Sequence, residues 1–176
     1  MEKYEQRIAK LEAIVEDQQK QLQLLKDTAD LQELHTSYAY LLLTREWEKI
    51  VELFTDDAVA ILHRRGRFEG KEELIQIFKE ITKNNRGKGR DGHLALQPSI
   101  QVKGNTATAN WLMYIMMLDP KGGYENTWMH GRHDMRYVRI NGKWKIQYML
   151  FTAPWPREEW SQPTLEQLAN WEKNGL

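Results

Sequence analysis

The stretch "HLALQPSIQVKGNTATANW" (residues 93–111) contains two runs typical of β-strands on either side of the turn "KGN" at 103–105. A short turn containing glycine between two such runs indicates an antiparallel hairpin. A second turn, "NG" at 141–142, indicates another hairpin. We therefore predict an antiparallel meander of four strands, at about 93–102, 105–118, 127–140 and 143–153.

The first half of the chain is predicted to be mainly helical. The segments "ADLQELHTSYAYLLLT" (29–44), "EWEKIVELF" (46–54) and "KEELIQIFKEITK" (71–83) carry apolar residues at helical spacing. Between the last two, "AVAIL" (58–62) and the turn "RRGRFEG" (64–70) indicate a pair of short strands. This order of elements predicts an α+β domain in which the helices cover one face of a curved sheet.

Residues 1–29 form a segment with a heptad pattern. Its apolar seam steps alternately by four and three residues, and charged residues and glutamines fill most other positions. The seam consists of Tyr4, Ile8, Leu11, Val15, Gln18, Leu22, Leu25 and Ala29. Such a helix needs a partner for its stripe, either the globular domain or, as the regularity favours, a second copy. Ile and Val alternating with Leu favour two strands, and Gln18 is expected to set the register.

Composition excludes several classes of function. The 176 residues carry 25 basic and 25 acidic side chains, without the positive excess that wholesale binding to nucleic acid or to an anionic membrane requires. The absence of cysteine removes disulfides and thiolate chemistry. No apolar run approaches the roughly 20 residues of a membrane span. The start "MEKYEQRIAK" is charged and predicts no secretory signal, so we expect a cytoplasmic protein.

Three segments are predicted along the chain. They are an N-terminal heptad helix at 1–29, the α+β domain at 30–156, and a tail at 157–176 with a short helix from about Thr164. The length suits one domain with an appendage.

Two faces can be distinguished along the predicted strands, because successive side chains point to opposite sides. In 127–138, His133 shares its face with Met129, Gly131, Met135 and Tyr137. The opposite face carries three charged residues in a row, Arg132, Asp134 and Arg136. The odd positions of 106–117 form a second apolar face: Ala107, Ala109, Trp111, Met113, Ile115 and Met117. Such aromatic and thioether side chains suit either an adaptable pocket for a flat apolar ligand or a plain core.

Four motifs occur in order within residues 28–153. They are "WEKIVELFTDDA" (47–58), "GRFEGKEELIQIF" (66–78), "HLALQPSIQVKGNTATANW" (93–111) and "YVRINGKWKI" (137–146). Together they resemble the SnoaL-like branch of the nuclear transport factor 2-like superfamily. The resemblance implies a cone-shaped α+β barrel, in which a bent sheet wraps about three helices around a deep apolar cavity. Members of the bile-acid 7α-dehydratase and scytalone dehydratase type are typically cofactor-free trimers. The resemblance thus favours a trimer whereas the heptad seam favours a dimer, and both remain open here.

The resemblance also implies roles for three residues. Tyr38 matches a tyrosine of the first helix that points into the cavity. His93 matches a histidine just before the "P.I.V.G.TA" strand, and His133 matches an asparagine that lines the pocket. Three family features are missing: Leu43 or its neighbour replaces an acid that orients the histidine, Ile115 replaces an aspartate, and "MLFTAPW" (149–155) lacks an arginine.

A neutral imidazole with a pKa near 6.5 is a competent base near pH 7. We therefore predict that His93 is the base of a cofactor-free lyase or isomerase acting on a hydrophobic, partly oxygenated ring compound. Tyr38 and His133 would polarise the substrate or act as acids. The predicted ligand-binding residues are Trp111, Met113, Ile115, Met135, Tyr137 and Leu43.

Alternative interpretations remain for these residues. His93 would be a strand-entry histidine bound to a loop carbonyl, Tyr38 a core aromatic, and the chain a non-catalytic small-molecule-binding or assembly module. Asp91 would replace the missing family carboxylate beside His93 only if the strand that contains His93 already begins at residue 91. The resemblance implies that no cofactor is used. No metal is predicted, because His130 and His133 face opposite ways on a strand and no cysteine or clustered carboxylate accompanies them.

Overall fold

Three helices and six strands form the part of the chain that the computed structural model describes, residues 2–84, 92–117 and 127–153. The helices are α1 (Glu2–Thr44), α2 (Trp47–Val51) and α3 (Gly70–Asn84). The strands are β1 (Phe54–Leu62), β2 (Gly66–Glu69), β3 (Gly92–Lys103), β4 (Thr106–Met117), β5 (Thr127–Ile140) and β6 (Lys143–Thr152). The predicted helices before residue 85 and all four meander strands are confirmed. The predicted C-terminal helix lies outside the described residues.

The six strands form one curved, unclosed sheet in the order β2-β1-β6-β5-β4-β3. The meander runs across it from β3 to β6, and β1 lies parallel to β6, whereas the other described pairs are antiparallel. Because β2 and β3 are its edges, the sheet wraps the helices without closing into a complete barrel. The predicted class, α+β with a curved and mostly antiparallel sheet, is confirmed.

A β-bulge in β3 determines which of its side chains face the helices. One extra residue lies between Leu96 and Ser99 in the pairing with β4, and Gln97 has a φ of 47°, in the left-handed region. The bulge shifts the alternation by one residue. Ala95 before it and Ile100 after it therefore both pack against the core.

Helix α1 passes through the predicted boundary at residue 29 without a break, but its surroundings change nearby. The side chains of residues 3–26 are exposed, and Asp27 is the first buried one. From there Leu31, His35 and Tyr38 are buried at spacings of three and four residues, which places them on one helical face against the sheet. None of the helices in the described ranges is long and apolar enough to cross a membrane.

Asp27 anchors α1 to the β5–β6 hairpin. Its carboxylate forms an ion pair with Arg139 and accepts hydrogen bonds from Gln23 Nε2 at 3.0 Å and from Trp144 Nε1 at 3.4 Å. The Arg139 guanidinium also lies over the Trp144 ring, 4.5 Å from its centroid. Burial alone would raise the pKa of Asp27, but these hydrogen bonds and the charge of Arg139 outweigh it and lower the pKa. The anchor fixes where the second half of α1 enters the core.

Candidate functional site

Four polar or aromatic side chains from three elements meet in the core. His35 comes from α1, Trp111 from β4, and His133 and Tyr137 from β5, and all four are buried. The strand register explains part of this meeting, since Trp111 lies directly opposite His133 in the β4–β5 pair. The predictions that His133 lies on the apolar face of β5 and Trp111 on that of β4 are confirmed.

A chain of hydrogen bonds connects these four side chains. Trp111 Nε1 donates to Tyr137 Oη at 3.1 Å, and Tyr137 Oη lies 3.3 Å from His35 Nδ1. His35 Nε2 in turn lies 3.4 Å from His133 Nδ1. The two histidines are therefore coupled directly, deep inside the domain.

We infer the direction of this chain from its first donor and from the need of the Tyr137 proton for an acceptor. Indole N–H is only a donor, so Tyr137 Oη accepts from Trp111, and its own buried proton is satisfied by donating to His35 Nδ1. A neutral His35 then carries its proton on Nε2 and donates it to His133 Nδ1. His133, also neutral, carries its single proton on Nε2, and this nitrogen becomes a hydrogen-bond donor.

Burial keeps these groups uncharged at neutral pH. It lowers the pKa of His35 to about 3, and it holds the pKa of His133 well below its ordinary value, with a further lowering from the charges of His35 and His93. Burial also raises the pKa of Tyr38, and it raises the pKa of Tyr137 although the Trp111 hydrogen bond opposes this. The site therefore offers neutral imidazoles and protonated phenols.

Aromatic rings surround the histidine pair. The His35 ring stacks on Trp111 with centroids 4.1 Å apart and planes 6° apart. Phe151 meets His133 edge-on at 5.2 Å, and the Tyr38 centroid lies 5.7 Å from His35 and 5.8 Å from His133. Tyr38, predicted from the sequence as a site residue, thus lies beside both imidazoles.

His93 lies near the start of β3, where it pairs with Ile115 of β4 and is half-buried. Its charge acts on the pKa of His133, so the two predicted histidines belong to one electrostatic site. Whether His93 acts as a base or caps the strand stays a prediction. Asp91, its predicted helper, lies outside the described residues.

The remaining predicted ligand-binding residues lie at different depths. Met113, Ile115 and Met135 are buried on the same sheet face as Trp111, whereas Leu43 is half-buried near the end of α1. In the described part of the chain, no carboxylate contributes to the pKa of His35 or of His133. Among residues 2–84, 92–117 and 127–153, the family acid missing from the sequence at Leu43 is thus not replaced beside this pair.

His35 belongs to the candidate site but was not predicted from the sequence. It follows Leu31 by four residues and precedes Tyr38 by three, so its spacing already placed it on the buried face of α1. Apolar spacing predicts which face of the helix is buried, but it does not predict that a polar residue such as His35 lies on that face. His130, by contrast, stacks on Tyr114 with centroids 4.5 Å apart, on the opposite side of the sheet from His133.

Solved structures share this fold at low sequence identity. An NTF2-like protein with a cystatin-like fold from Novosphingobium aromaticivorans matches 79% of this chain and 89% of its own length, with a TM-score of 0.67 and 18% identity. A scytalone dehydratase-like protein from the same organism covers 74% and 85%, with a TM-score of 0.65 and 16% identity. The hexachlorocyclohexane dehydrochlorinase of Novosphingobium barchaimii covers 79% and 97%, with a TM-score of 0.63 and 16% identity.

No curated protein sequence matches the chain. The profile of the SnoaL-like domain matches residues 23–149, from just before the Asp27 anchor to the middle of β6. That range includes His35, Tyr38, Trp111, His133 and Tyr137. The chain belongs to the SnoaL-like domain family.

Proposed function

We propose that the chain is a cofactor-free lyase or isomerase that acts on a hydrophobic, partly oxygenated ring compound. One observation carries this proposal, the buried and directly coupled pair of His35 and His133. Burying a polar ring is costly unless it is hydrogen-bonded, and apolar side chains would fill the same space without that cost. Buried groups with strongly shifted pKa values concentrate at functional sites, which favours a chemical role for the pair.

His133 is proposed to polarise a substrate carbonyl through Nε2–H. A neutral imidazole with a lowered pKa is suited to this task, because it donates a hydrogen bond without first losing or gaining a charge. Tyr38, whose ring lies beside that of His133, would supply a second donor to the same oxygen. Two such donors stabilise the oxyanion that develops when the neighbouring C–H bond is broken.

His93 is the proposed base. It would take a proton from the carbon beside the carbonyl, and the C–H electrons would move into the carbonyl to give an enolate. In a lyase reaction the enolate re-forms the carbonyl and expels a hydroxyl from the next carbon, while protonated His93 gives that hydroxyl the proton and water leaves. In an isomerase reaction the same proton returns to a different carbon.

The proposed substrate class is based on the core side chains on the same sheet face as the histidine pair. Trp111, Met113, Met135 and Ile115 present an aromatic, a branched and two thioether side chains on one sheet face. Thioethers adapt to irregular apolar shapes, and ligand sites are largely apolar with a few polar groups that fix orientation. A flat ring system with one or two oxygens matches that distribution.

A non-catalytic small-molecule-binding module of the same fold is the second candidate. One observation favours it: in the described residues no carboxylate acts on the pKa of either buried histidine. Without such a partner an imidazole stays near or below its ordinary basicity. The same cluster would then recognise a ligand oxygen and carry out no reaction.

Two assays on the purified protein separate these candidates. The first is a thermal-shift screen against keto and hydroxylated steroids, naphthols and small polyketides. A ligand at about 100 times its dissociation constant adds roughly 2.7 kcal/mol of stability, or about 5–10 °C for a chain of this size. The second follows deuterium from heavy water into each ketone that binds, by NMR. Exchange supports the enzyme, binding without exchange supports the module, and a panel without a hit contradicts the substrate class.

A further inference from the structure

The N-terminal part of α1 carries an apolar stripe that the described residues leave uncovered. Six of the eight residues of the heptad seam are large apolar side chains, and each is between 49% and 73% exposed: Tyr4, Ile8, Leu11, Val15, Leu22 and Leu25. The whole stretch 3–26 is exposed. Most of the stability of a helix in a protein comes from packing its apolar face, so a partner that covers the stripe would stabilise this helix.

The globular body of the same chain does not face this stripe. Successive residues of a helix are about 100° apart, so Leu25 and Asp27, like Ala29 and Leu31, lie on nearly opposite sides of α1. Asp27 and Leu31 are buried against the body, whereas Leu25 and Ala29 are exposed. The seam therefore points away from the sheet where the helix reaches it.

We propose that the seam binds a second copy of this chain as a parallel, in-register, two-stranded coiled coil. β-Branched Ile8 and Val15 occupy one core position of the heptad, and Leu11 and Leu25 occupy the other. This distribution favours two parallel strands over three or four. A seam of this kind is complementary to itself, so the chain needs no different partner.

Gln18 distinguishes the parallel arrangement from the antiparallel one. In a parallel, in-register pair the Gln18 amide faces the partner's Gln18, and the two amides satisfy each other by hydrogen bonding. In the antiparallel arrangement that pairs every layer, Gln18 faces Val15 of the partner subunit. Its amide would then be desolvated without a hydrogen-bond partner, which is unfavourable.

Charge complementarity also favours the parallel arrangement. Arg7 directly precedes the seam residue Ile8, and Glu12 directly follows the seam residue Leu11. In a parallel pair these flanking positions meet across the interface, so that Arg7 lies beside Glu12 of the partner subunit on both sides. Both side chains are exposed in the single chain, and the ion pairs that Lys20 and Lys26 form along the helix use Glu16 and Asp30 instead.

Disulfide crosslinking tests the proposal at the seam itself. The chain has no cysteine, so Gln18→Cys in the full-length protein introduces one thiol per chain. In the proposed pair the two thiols face each other within disulfide reach, and mild oxidation should give a covalent dimer on a non-reducing gel. Lys20→Cys, exposed and off the seam, is the matched control. We expect crosslinking at position 18 to be about tenfold faster than at position 20.

A second pair of variants makes the test specific to the stripe. Leu22→Glu charges the seam, whereas Leu24→Glu makes the same change on an exposed leucine off the seam. In the Gln18→Cys background, Leu22→Glu should slow crosslinking about tenfold and Leu24→Glu should leave it unchanged. Circular dichroism checks that each variant is folded. Equal crosslinking at positions 18 and 20, insensitivity to Leu22→Glu, or a monomer by analytical ultracentrifugation would each overturn the proposal.

Discussion

His35 controls how His133 presents its proton, although His35 itself need not touch a ligand. The order of donors from Trp111 through Tyr137 leaves the His133 proton on Nε2. We expect nitrogen NMR of histidine-labelled protein to show that tautomer in the native chain. His35→Phe keeps a ring on Trp111 but removes the donor to His133, so it should give mixed tautomers and lower kcat by about tenfold with little change in KM. A native His133 protonated on Nδ1 would contradict the proposed direction.

The two buried histidines also make stability depend on pH. The unfolded chain protonates them near pH 6.5, whereas native His35 stays neutral to about pH 3 and native His133 to well below its ordinary pKa. The unfolded state therefore binds more protons in this window, so stability is complete above pH 6.5 and falls on acidification. Each histidine should lower the free energy of unfolding by up to about 1.4 kcal/mol per pH unit.

Urea unfolding at pH 7, 6 and 5 measures this dependence. His35→Phe removes one of the two histidines whose pKa is lowered in the native state. The free energy of unfolding of the variant should therefore fall less steeply on acidification than that of the wild type, by a slope that corresponds to about one proton. Only the slope is compared, because the substitution also changes the absolute stability. Parallel slopes for the two proteins would show that His35 is not buried in its neutral form.

Gly131 is required by the close approach of β6. A Cβ atom there would lie 2.5 Å from Phe151 Cε2 and 2.9 Å from the Thr152 carbonyl oxygen. Gly131→Ala should therefore displace Phe151, which packs on His133, and destabilise the fold by about 1–3 kcal/mol. In Gly92→Ala the added atom would contact, among the described residues, only the flexible Met116 side chain, so this control should change stability little. Chemical unfolding of both variants is the measurement, and equal effects would refute the steric account.

At the scale of elements, the Asp27 anchor joins α1 to the β5–β6 hairpin and so places His35 under the sheet. Asp27→Asn keeps the shape of the side chain. It removes the negative charge that pairs with Arg139 and that accepts the hydrogen bond from Trp144. We expect a loss of about 2 kcal/mol, because a buried group with charged hydrogen-bond partners is involved. Glu16→Gln breaks the exposed pair with Lys20 and should cost less than about 0.5 kcal/mol. Similar losses in urea unfolding would contradict the anchoring role.

The sequence predicted the elements better than it predicted their details. Alternation and the turns at 103–105 and 141–142 located the four meander strands within about two residues, since these signals are local. The bulge at Gln97 was not predicted, because one residue with a positive φ leaves no periodic trace. The parallel neighbour of β6 was not predicted either, since pairing between distant strands is decided by packing.

At the scale of the whole molecule, the fold brings several of the predicted side chains together in the core and adds His35 to them. Facing patterns located His133, Trp111 and Tyr137 on apolar strand faces, because side-chain direction follows from strand geometry. The coupling to His35 required knowing which helix lies under which strand. Family membership explains the framework. The acids that the resemblance implies at Leu43 and Ile115 are absent, so the proposed chemistry is assigned to this chain's own histidines.

The most direct test of the proposed chemistry is the rate of solvent deuterium exchange into the best-bound ketone, compared among three histidine variants. His93→Gln should lower the rate by about 10²–10⁴ as a lost base, and His133→Gln by about 10²–10³ as a lost oxyanion donor. His130→Gln, on the outer face beside Tyr114, should exchange at the wild-type rate. A wild-type rate in His93→Gln, or an equal loss in all three variants, would contradict the assignment of the base and of the site.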